Sequence, residues 1–216
     1  MTRKLPPTAS IATPGEGARL VAPSAERNSR ALCDLLEQMA PRSGRALEIA
    51  SGTGQHITAF ASRLPNLHWQ PSEIDADRRA SIDAYSVGVD NVATAISLDA
   101  TVPGWSKRHS GQDLIVLINL LHLISDDEVF TLIREAAQAL APSGRFVIYG
   151  PFKRGGELTS AGDERFHASL AEQDPEIGYK DDFDMIDQLQ DAGLEMVSVV
   201  EMPANNLSLI AQLPGF

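Results

Sequence analysis

The sequence predicts an α/β fold in which helices cover both faces of an open, mostly parallel sheet of seven strands. Apolar runs that are typical of strands alternate with amphipathic segments that are typical of helices, without an internal repeat. Residues 113–119 are almost continuously apolar, as expected for a strand covered by helices on both faces. A glycine-rich turn at residues 50–54 joins the first strand to a helix. Together these observations favour a Rossmann-like architecture.

The chain length is sufficient for one domain. Its 216 residues, of which 43% are hydrophobic, can bury a full core. We expect residues 1–20 to be a flexible N-terminal segment and residues 21–216 to form a single domain. Within that domain, residues 21–44 are predicted to form an N-terminal helix and a candidate lid.

The hydrophobic pattern places the remaining elements. After the first strand, helices are predicted at residues 55–63, 76–85, 126–140 and 182–192, and strands at residues 67–70, 91–98, 113–119, 145–149, 194–202 and 206–213. The join between the last two strands is too short for a parallel crossover but permits antiparallel pairing. The predicted sheet therefore has one reversed, C-terminal strand.

The glycine turn indicates a cofactor. Ile57 occupies the third glycine position of the dinucleotide pattern, so a pyrophosphate is disfavoured. Glu48 beside the turn would repel a phosphate and attract a cation, and S-adenosylmethionine (SAM) offers an ammonium and a sulfonium. A tight turn with a buried acid satisfied by backbone amides is the alternative. The predicted cofactor contacts in this segment are Glu48, Ala50, Ser51, Gly52, Thr53, Gly54 and His56.

Further cofactor contacts are expected where the next strands end. Glu73 lies about 20 residues beyond the glycines, where an open α/β sheet places the acid that binds ribose hydroxyls. Asp75 and Asp77 are instead placed to cap the following helix. Asp99 could accept from the exocyclic amine of adenine or, equally, cap a turn. Asn119, after the central strand, completes the predicted cofactor set.

Six segments resemble the methyltransferase-like family called domain of unknown function 938. They are residues 22–28, 47–56, 69–73, 149–153, 174–178 and 202–207, and the resemblance extends from about residue 20 to the C-terminus. It implies the class I SAM-dependent methyltransferase fold and SAM as the cofactor. Residues 121–125 depart from the family pattern, which more often has His-Ile-Ser-Pro there.

Candidate substrate and catalytic residues lie at the carboxyl ends of the strands, where ligands of open α/β sheets bind. His122 is the first candidate for a general base and His56 the second, although a histidine after a strand is often structural. Tyr149 is the other predicted catalytic residue. The Asn205–Asn206 pair could contact substrate or only form a turn. The predicted substrate contacts are Glu26, Asn28, Lys153, Asn205 and Asn206.

Tyr149 and Lys153 also match the Y-x-x-x-K pair of short-chain dehydrogenases. That pair must share one face of a helix, whereas Gly150 and Pro151 oppose helix formation and follow a predicted strand. Hydride transfer is therefore disfavoured.

Composition excludes several other classes. A formal charge of -11 opposes nucleic-acid binding, and no apolar run approaches the roughly 20 residues of a membrane span. A single cysteine excludes an internal disulfide, and the five histidines form no H-x-x-x-H pair, so no metal site is predicted. The N-terminal sequence lacks an apolar signal core, which favours a cytoplasmic protein.

Two functions from different classes fit these features. The first is a methyltransferase that acts on a small molecule by in-line transfer, a reaction in which positioning alone supplies much of the rate enhancement. The second is a SAM-binding, Rossmann-like protein that performs no transfer and acts through a protein partner.

Overall fold

The computed structural model describes residues 10–215. Residues 1–9 of the predicted flexible segment therefore lie outside the described residues. The helices are α1 (Pro23–Met39), α2 (Gln55–Arg63), α3 (Ala76–Ser86), α4 (Asp126–Ala139), α5 (Ala161–Gln173) and α6 (Asp182–Asp191), with a 3-10 turn at Leu121–Leu123. The strands are β1 (Thr13–Pro14), β2 (Leu20–Val21), β3 (Gly44–Ile49), β4 (Leu67–Pro71), β5 (Gln112–Ile118), β6 (Leu140–Lys153), β7 (Lys180–Asp181), β8 (Glu195–Met202) and β9 (Asn206–Gln212).

The predicted α/β fold is confirmed. A seven-stranded sheet has the order β4-β3-β5-β6-β9-β8, and the short β7 pairs with the end of β6. The pairs β3–β4, β3–β5 and β5–β6 are parallel, whereas β9 runs antiparallel to both β6 and β8. The reversed strand is thus β9, and it lies inside the sheet, between β6 and β8.

Helices cover both faces of the sheet, as the apolar run at β5 predicts. Alternate residues of β5 enter two different hydrophobic clusters: Leu114 and Val116 pack on the face covered by α1, α2 and α3, and Ile115 and Leu117 pack on the face covered by α4 and α6. Two buried layers therefore fix the central strands, and the carboxyl ends of β3, β4 and β5 open at one edge.

Two helix starts explain how the loops at this edge are held. Asp75 caps α3 by accepting a hydrogen bond from the Arg78 amide at 2.9 Å, which is the capping role predicted for it. Ser125 and Glu128 form a reciprocal capping box at the start of α4. The caps therefore fix where α3 and α4 begin, and with them the ends of the loops that precede these two helices.

The segment predicted as a third strand, residues 91–98, forms only isolated bridges, Trp69 with Val92 and Ser72 with Ile96. Pro71 of β4 lies between them and has no backbone N–H to donate, so the ladder cannot be continuous. The side chain of Gln70 instead donates to the Thr94 carbonyl at 2.8 Å. The seventh strand of the sheet is β7, which the sequence did not predict.

Helix α5 was also not predicted. It begins at the N-cap Ser160, whose hydroxyl accepts from the Asp163 amide at 3.2 Å, and of its residues only Leu170 is buried. A helix with so narrow an apolar face gives a weak periodic signal. Among residues 10–215, no helix is long and apolar enough to cross a membrane.

Candidate cofactor and active site

The loop between β3 and α2 lines a cavity of about 880 Å³ at the carboxyl edge of the sheet. Three of its residues have positive φ angles: Ala50 (54°), Gly52 (61°) and Gly54 (92°). At Gly54 a Cβ atom would lie 2.7 Å from the Cα of Ile82 in α3, so only glycine permits this packing. The loop is therefore fixed against α3 while its other side faces the cavity.

Two serines hold the ends of β3 and β4 together. The Ser51 amide donates to the Ser72 carbonyl at 2.8 Å, and the Ser72 amide donates to the Ser51 hydroxyl at 3.1 Å. The Ser72 hydroxyl donates to the Glu48 carbonyl at 2.8 Å. These bonds place the two acids that end these strands, Glu48 and Glu73, along the same cavity.

Glu48 is buried, with only 1% of its surface exposed, and it lines the cavity. Its Oε2 atom has no hydrogen-bond partner within the described chain. Burial raises the pKa of Glu48 to about 8, a hydrogen bond from Ser51 lowers it, and the nearby Glu73 raises it further. A buried carboxyl oxygen that no protein group satisfies is an expected binding position for a cationic ligand group.

Glu73 is held in place by backbone amides. Its Oε2 accepts from the Gly52 amide at 3.1 Å, and its Oε1 accepts from the amides of Ile74 at 2.8 Å and Asp75 at 3.3 Å. The carboxylate therefore joins the glycine loop to the end of β4. Each oxygen has more than one lone pair, so the group can still accept a hydrogen bond from a ligand hydroxyl.

Asp99 lines the cavity beside the buried Leu98 and Ala100. Its Oδ1 accepts from the Thr101 amide at 3.0 Å and from the Thr101 hydroxyl at 2.6 Å, so it caps the turn that follows. The carboxylate also has a second oxygen. The capping role and the adenine contact, which the sequence left as alternatives, are therefore compatible.

Asn119 lines the cavity after β5 and has a φ of 56°, in the left-handed region. Its amide donates to the Tyr149 carbonyl at 2.8 Å, which fixes it to the neighbouring strand β6. A non-glycine residue held in this conformation is a common feature of functional sites.

The N-terminal part of the chain forms the opposite wall. Ser24 and Ala25, in the first turn of α1, line the cavity. The Ala22 amide donates to the Gln55 Oε1 at 2.7 Å, and the Thr53 hydroxyl donates to the same oxygen at 2.8 Å. The start of α1 is thereby attached to the glycine loop.

His56 lines the cavity from the first turn of α2 and is 8% exposed. Its Nε2 lies 2.7 Å from the Asn28 Oδ1, and its ring stacks on Phe60 with the two ring centroids 5.6 Å apart. Burial lowers the pKa of His56 to about 4, so the ring is neutral at neutral pH.

The structure brings together many of the residues that the sequence singles out. Those that line the cavity are Glu48, Ala50, Ser51, Gly52, Thr53, His56, Glu73, Asp99 and Asn119. Those that do not line it are Glu26, Asn28, Gly54, His122, Tyr149, Lys153, Asn205 and Asn206.

His122, the first candidate base, lies in the 3-10 turn and contacts the rings of Phe166 and Tyr179, with centroids 5.7 and 6.2 Å away. Burial, with a smaller contribution from Lys180, lowers the pKa of His122 to about 3. Lys153 lines a separate cavity of about 510 Å³. Both residues are thus placed away from the glycine loop, among groups carried by α5 and β7.

The other predicted substrate residues are placed in different ways. Glu26 is on the exposed surface of α1, and Asn28 is buried and bonded to His56. Asn205 has a φ of 60° and donates to Asp163 at 3.1 Å, and Asn206 donates to the Pro203 carbonyl at 2.9 Å. Asn205 therefore lies in the turn between β8 and β9, and Asn206 is the first residue of β9.

Several cavity residues were not found from the sequence. Ser10 and Ile11 line the cavity, and the Arg78 guanidinium, which also lines it, donates to the Ser10 hydroxyl at 2.7 Å. Leu123 and Ile124 contribute apolar surface from the loop after β5. No local pattern marks these residues, because their position depends on how distant segments pack.

Solved structures of other proteins share this fold. An O-methyltransferase family protein from Burkholderia thailandensis is 19% identical with a TM-score of 0.74, and covers 89% of this chain and 58% of that one. Mitomycin 7-O-methyltransferase MmcR is 17% identical with a TM-score of 0.72, covering 88% and 54%. Human N-acetylserotonin methyltransferase, solved with SAM, is 13% identical with a TM-score of 0.72, covering 88% and 53%.

These likenesses show the Rossmann-like class I methyltransferase fold. The chain spans little more than half the length of each of these three proteins. The model of the family described as "Protein of unknown function (DUF938)" matches residues 19–213, and the chain therefore belongs to that family.

Proposed function

We propose that this protein is a SAM-dependent methyltransferase that acts on a small molecule. The observation that carries the proposal is the unpartnered Oε2 of Glu48, buried in the wall of the large cavity. An uncompensated carboxyl oxygen in such a site favours a ligand that brings positive charge, and SAM carries both an ammonium and a sulfonium.

The remaining walls match the other parts of the same cofactor. Glu73 offers carboxylate oxygens at the position expected for ribose hydroxyls. Asp99 offers an acceptor for the adenine amine, next to the apolar surface of Leu98 and Ala100. The cavity volume of about 880 Å³ is within the range of small-molecule sites, roughly 300–1,000 Å³.

In this proposal SAM supplies a methyl group already activated by its sulfonium. The protein binds the cofactor through Glu48 and Glu73, and the bond to the Tyr149 carbonyl holds Asn119, another predicted cofactor contact, in the cavity wall. The first turn of α1 and residues Ser10 and Ile11 line the same cavity. Positioning of this kind can supply much of the rate enhancement of an in-line transfer.

The net charge of the protein and the similar solved structures both support a small molecule as the methyl acceptor. The formal charge of -11 opposes binding of a nucleic acid, which requires a basic surface. Two of the neighbouring methyltransferases are named after small molecules, mitomycin and N-acetylserotonin.

The second candidate, a SAM-binding protein without transfer activity, is favoured by the rim of the cavity. Ile11 and Ile74 line the cavity and are 49% and 50% exposed. Exposed apolar side chains beside a cofactor site are also expected of a surface that binds a protein partner.

Calorimetric titration with SAM and with S-adenosylhomocysteine tests the cofactor assignment. We expect the wild-type protein to bind both, and Glu48→Gln to bind SAM roughly 10- to 100-fold more weakly, because it keeps the shape but not the charge. Glu195→Gln, on the exposed start of β8, is the matched control and should bind as the wild type does. Absence of binding by the wild-type protein would refute the proposal.

A second assay separates the two candidate functions. The SAM-bound protein is incubated with a panel of small phenols, alcohols and amines, and formation of S-adenosylhomocysteine is measured. Turnover that Glu48→Gln reduces and Glu195→Gln does not would support the methyltransferase. SAM binding without turnover for any acceptor would favour the non-enzymatic function.

A further inference from the structure

Three side chains from separate elements form a hydrogen-bonded chain beside the cavity. Asn28 of α1 lies between His56 of α2 and Tyr149 of β6: its Oδ1 is 2.7 Å from the His56 Nε2, and its side chain is also hydrogen-bonded to the Tyr149 phenol. Asn28 is 8%, His56 8% and Tyr149 3% exposed. The buried amide thus joins the wall of the cavity to the end of a central strand.

The direction of the bond between Asn28 and His56 follows from the atoms that form it. An amide oxygen only accepts, so the His56 Nε2 must carry the hydrogen in the bond to the Asn28 Oδ1. Burial raises the pKa of the Tyr149 phenol, and the contact with the Asn28 side chain lowers it. The Asn28 oxygen is therefore occupied by His56, and the same side chain also contacts Tyr149.

This assignment determines whether the His56 ring can donate or accept a hydrogen bond with a ligand in the cavity. A neutral imidazole has one N–H, and here that N–H is on Nε2, so Nδ1 has a free lone pair and can only accept. Stacking on Phe60, with an angle of 5° between the ring planes, fixes the orientation of the ring. His56 lines the cavity and Asn28 does not, which leaves Nδ1 as the hydrogen-bonding atom of this ring for a bound ligand.

The same set of contacts extends to Asn119, a predicted cofactor contact in the cavity wall. The Tyr149 carbonyl accepts the Asn119 amide at 2.8 Å, and Asn119 lines the cavity. His56 and Asn119 are therefore positioned through one continuous set of contacts, which extends from α1 through Asn28 and Tyr149 to the end of β5.

On the basis of the proposed function, we propose that the His56 Nδ1 accepts a hydrogen bond from the methyl acceptor and that Asn28 is the positioning residue that holds His56 in the required tautomer. The methyl acceptor is then a molecule with a hydroxyl or an N–H group at the reacting atom. An analogue without that hydrogen leaves a buried acceptor unpaired, and such sites discriminate strongly against it.

The tautomer can be measured without any ligand. Long-range ¹H–¹⁵N NMR of the His56 ring in wild-type protein should show the Nε2–H form, and Asn28→Leu should show a mixture of the two tautomers. Asn28→Asp retains an acceptor for Nε2–H and should keep the wild-type tautomer. The exposed His68 of β4 serves as an internal reference that does not change. An Nδ1–H tautomer of His56 in the wild-type protein would overturn the assignment.

Kinetics then test the role in acceptor recognition. For an acceptor found by the turnover assay, we expect His56→Phe to lower kcat/KM by about 10- to 100-fold, while the Kd for SAM changes less than threefold. His56→Asn can place an amide oxygen near the position of Nδ1 and should retain more activity than His56→Phe. Methylation of an O-blocked or N-blocked analogue at the same rate as the parent would contradict the proposal.

The outcomes distinguish this inference from the function on which it rests. Failure to bind SAM would refute the proposed function, whereas the NMR result on the tautomer would stand by itself. Normal SAM binding and turnover in His56→Phe would refute the role of His56 and leave the methyltransferase assignment intact. His68→Asn is the matched control for both assays.

Discussion

Two carboxyl groups of this protein, Glu48 and Asp163, have opposite surroundings. Asp163, in α5, accepts from the hydroxyls of Ser160 at 2.6 Å, Thr159 at 2.8 Å and Tyr179 at 3.0 Å, and from the Asn205 amide at 3.1 Å. Glu48 has an oxygen without a partner in the described chain.

The pKa values of the two groups reflect this difference. Burial raises the pKa of Asp163, but the hydrogen bonds, led by that from Ser160, outweigh it and bring the pKa below its ordinary value. Burial raises the pKa of Glu48 to about 8. A carboxylate whose oxygens are satisfied holds the structure together, here joining α5 to β7 and the β8–β9 turn. A carboxyl group with an unpartnered oxygen in a cavity wall, such as Glu48, has the surroundings expected of a ligand-binding group.

The largest expected effect is the pH dependence of stability at Glu48. The pKa of Glu48 is raised from 4.5 to about 8 in the folded protein, so the protonated side chain favours the folded state. This contribution to stability is fully present below pH 4.5 and is lost as the pH rises through about 8. Between pH 4.5 and 9 the free energy of unfolding of the ligand-free wild-type protein should therefore fall by about 4 kcal/mol relative to that of Glu48→Gln.

Urea unfolding of both proteins at several pH values measures this difference, since groups common to both cancel. A constant difference in the free energy of unfolding would show that Glu48 has an ordinary pKa. The comparison with Asp163 would then fail.

The second-largest expected effect is a loss of stability when Asp163, whose oxygens accept four hydrogen bonds, is replaced. Asp163→Ala removes four hydrogen-bond acceptor contacts and should lower the free energy of unfolding by about 2 kcal/mol. The Kd for SAM should stay within twofold of the wild-type value, because Asp163 does not line the cavity. Denaturant unfolding and calorimetry on the same sample give both values. A large loss of SAM affinity with normal stability would invert the assigned roles of the two acids.

The third effect is a proton released on binding. At pH 7 most Glu48 side chains are protonated when the pKa is about 8, and a cationic ligand favours the ionised form. Binding of SAM should therefore release close to one proton, and below pH 8 the affinity should rise by up to tenfold for each pH unit, about 1.4 kcal/mol.

Calorimetry in buffers with different ionisation enthalpies counts the released protons. Glu48→Gln should remove the release. If SAM binding releases the same number of protons from Glu48→Gln as from the wild type, the proton comes from another group.

The smallest effect is at Tyr179, whose hydroxyl donates to Asp163 at 3.0 Å. Tyr179→Phe keeps the ring contacts with His122, Phe166 and His167 and removes this one bond. We expect a loss of about 1 kcal/mol in the free energy of unfolding, without a change in SAM affinity. Thermal unfolding of the variant together with Asp163→Ala and the double variant tests it. Fully additive losses would show that the two groups do not interact.

That the glycine turn, Glu48 and Glu73 meet at one cavity could be predicted, because the signals for these residues are local. The glycine turn and the acids Glu48 and Glu73 lie within a short stretch of chain, and strand order alone places their backbones at one edge. The same applies to the cap at Asp75, which depends only on the residues that follow it.

The surroundings of His122 could not be predicted in the same way. The ring contacts Phe166 of α5 and Tyr179 before β7, and the sequence indicated neither element. Asn28 is a similar case: its amide is occupied by His56 and Tyr149, which are distant in the chain and meet only when α1 packs on the sheet. Contacts between distant segments leave no periodic pattern to detect.

The position of β9 has a consequence for synthesis. Within residues 10–215, those that line the large cavity lie between Ser10 and Glu128, whereas β9, residues 206–212, pairs with both β6 and β8. When the ribosome has synthesised every segment that lines the cavity, β6 and the strands that follow it in the sequence have not yet been made. The nascent chain therefore contains every segment of the cavity wall before the supporting sheet is complete, and contacts with β9 must form late, over a long separation in sequence.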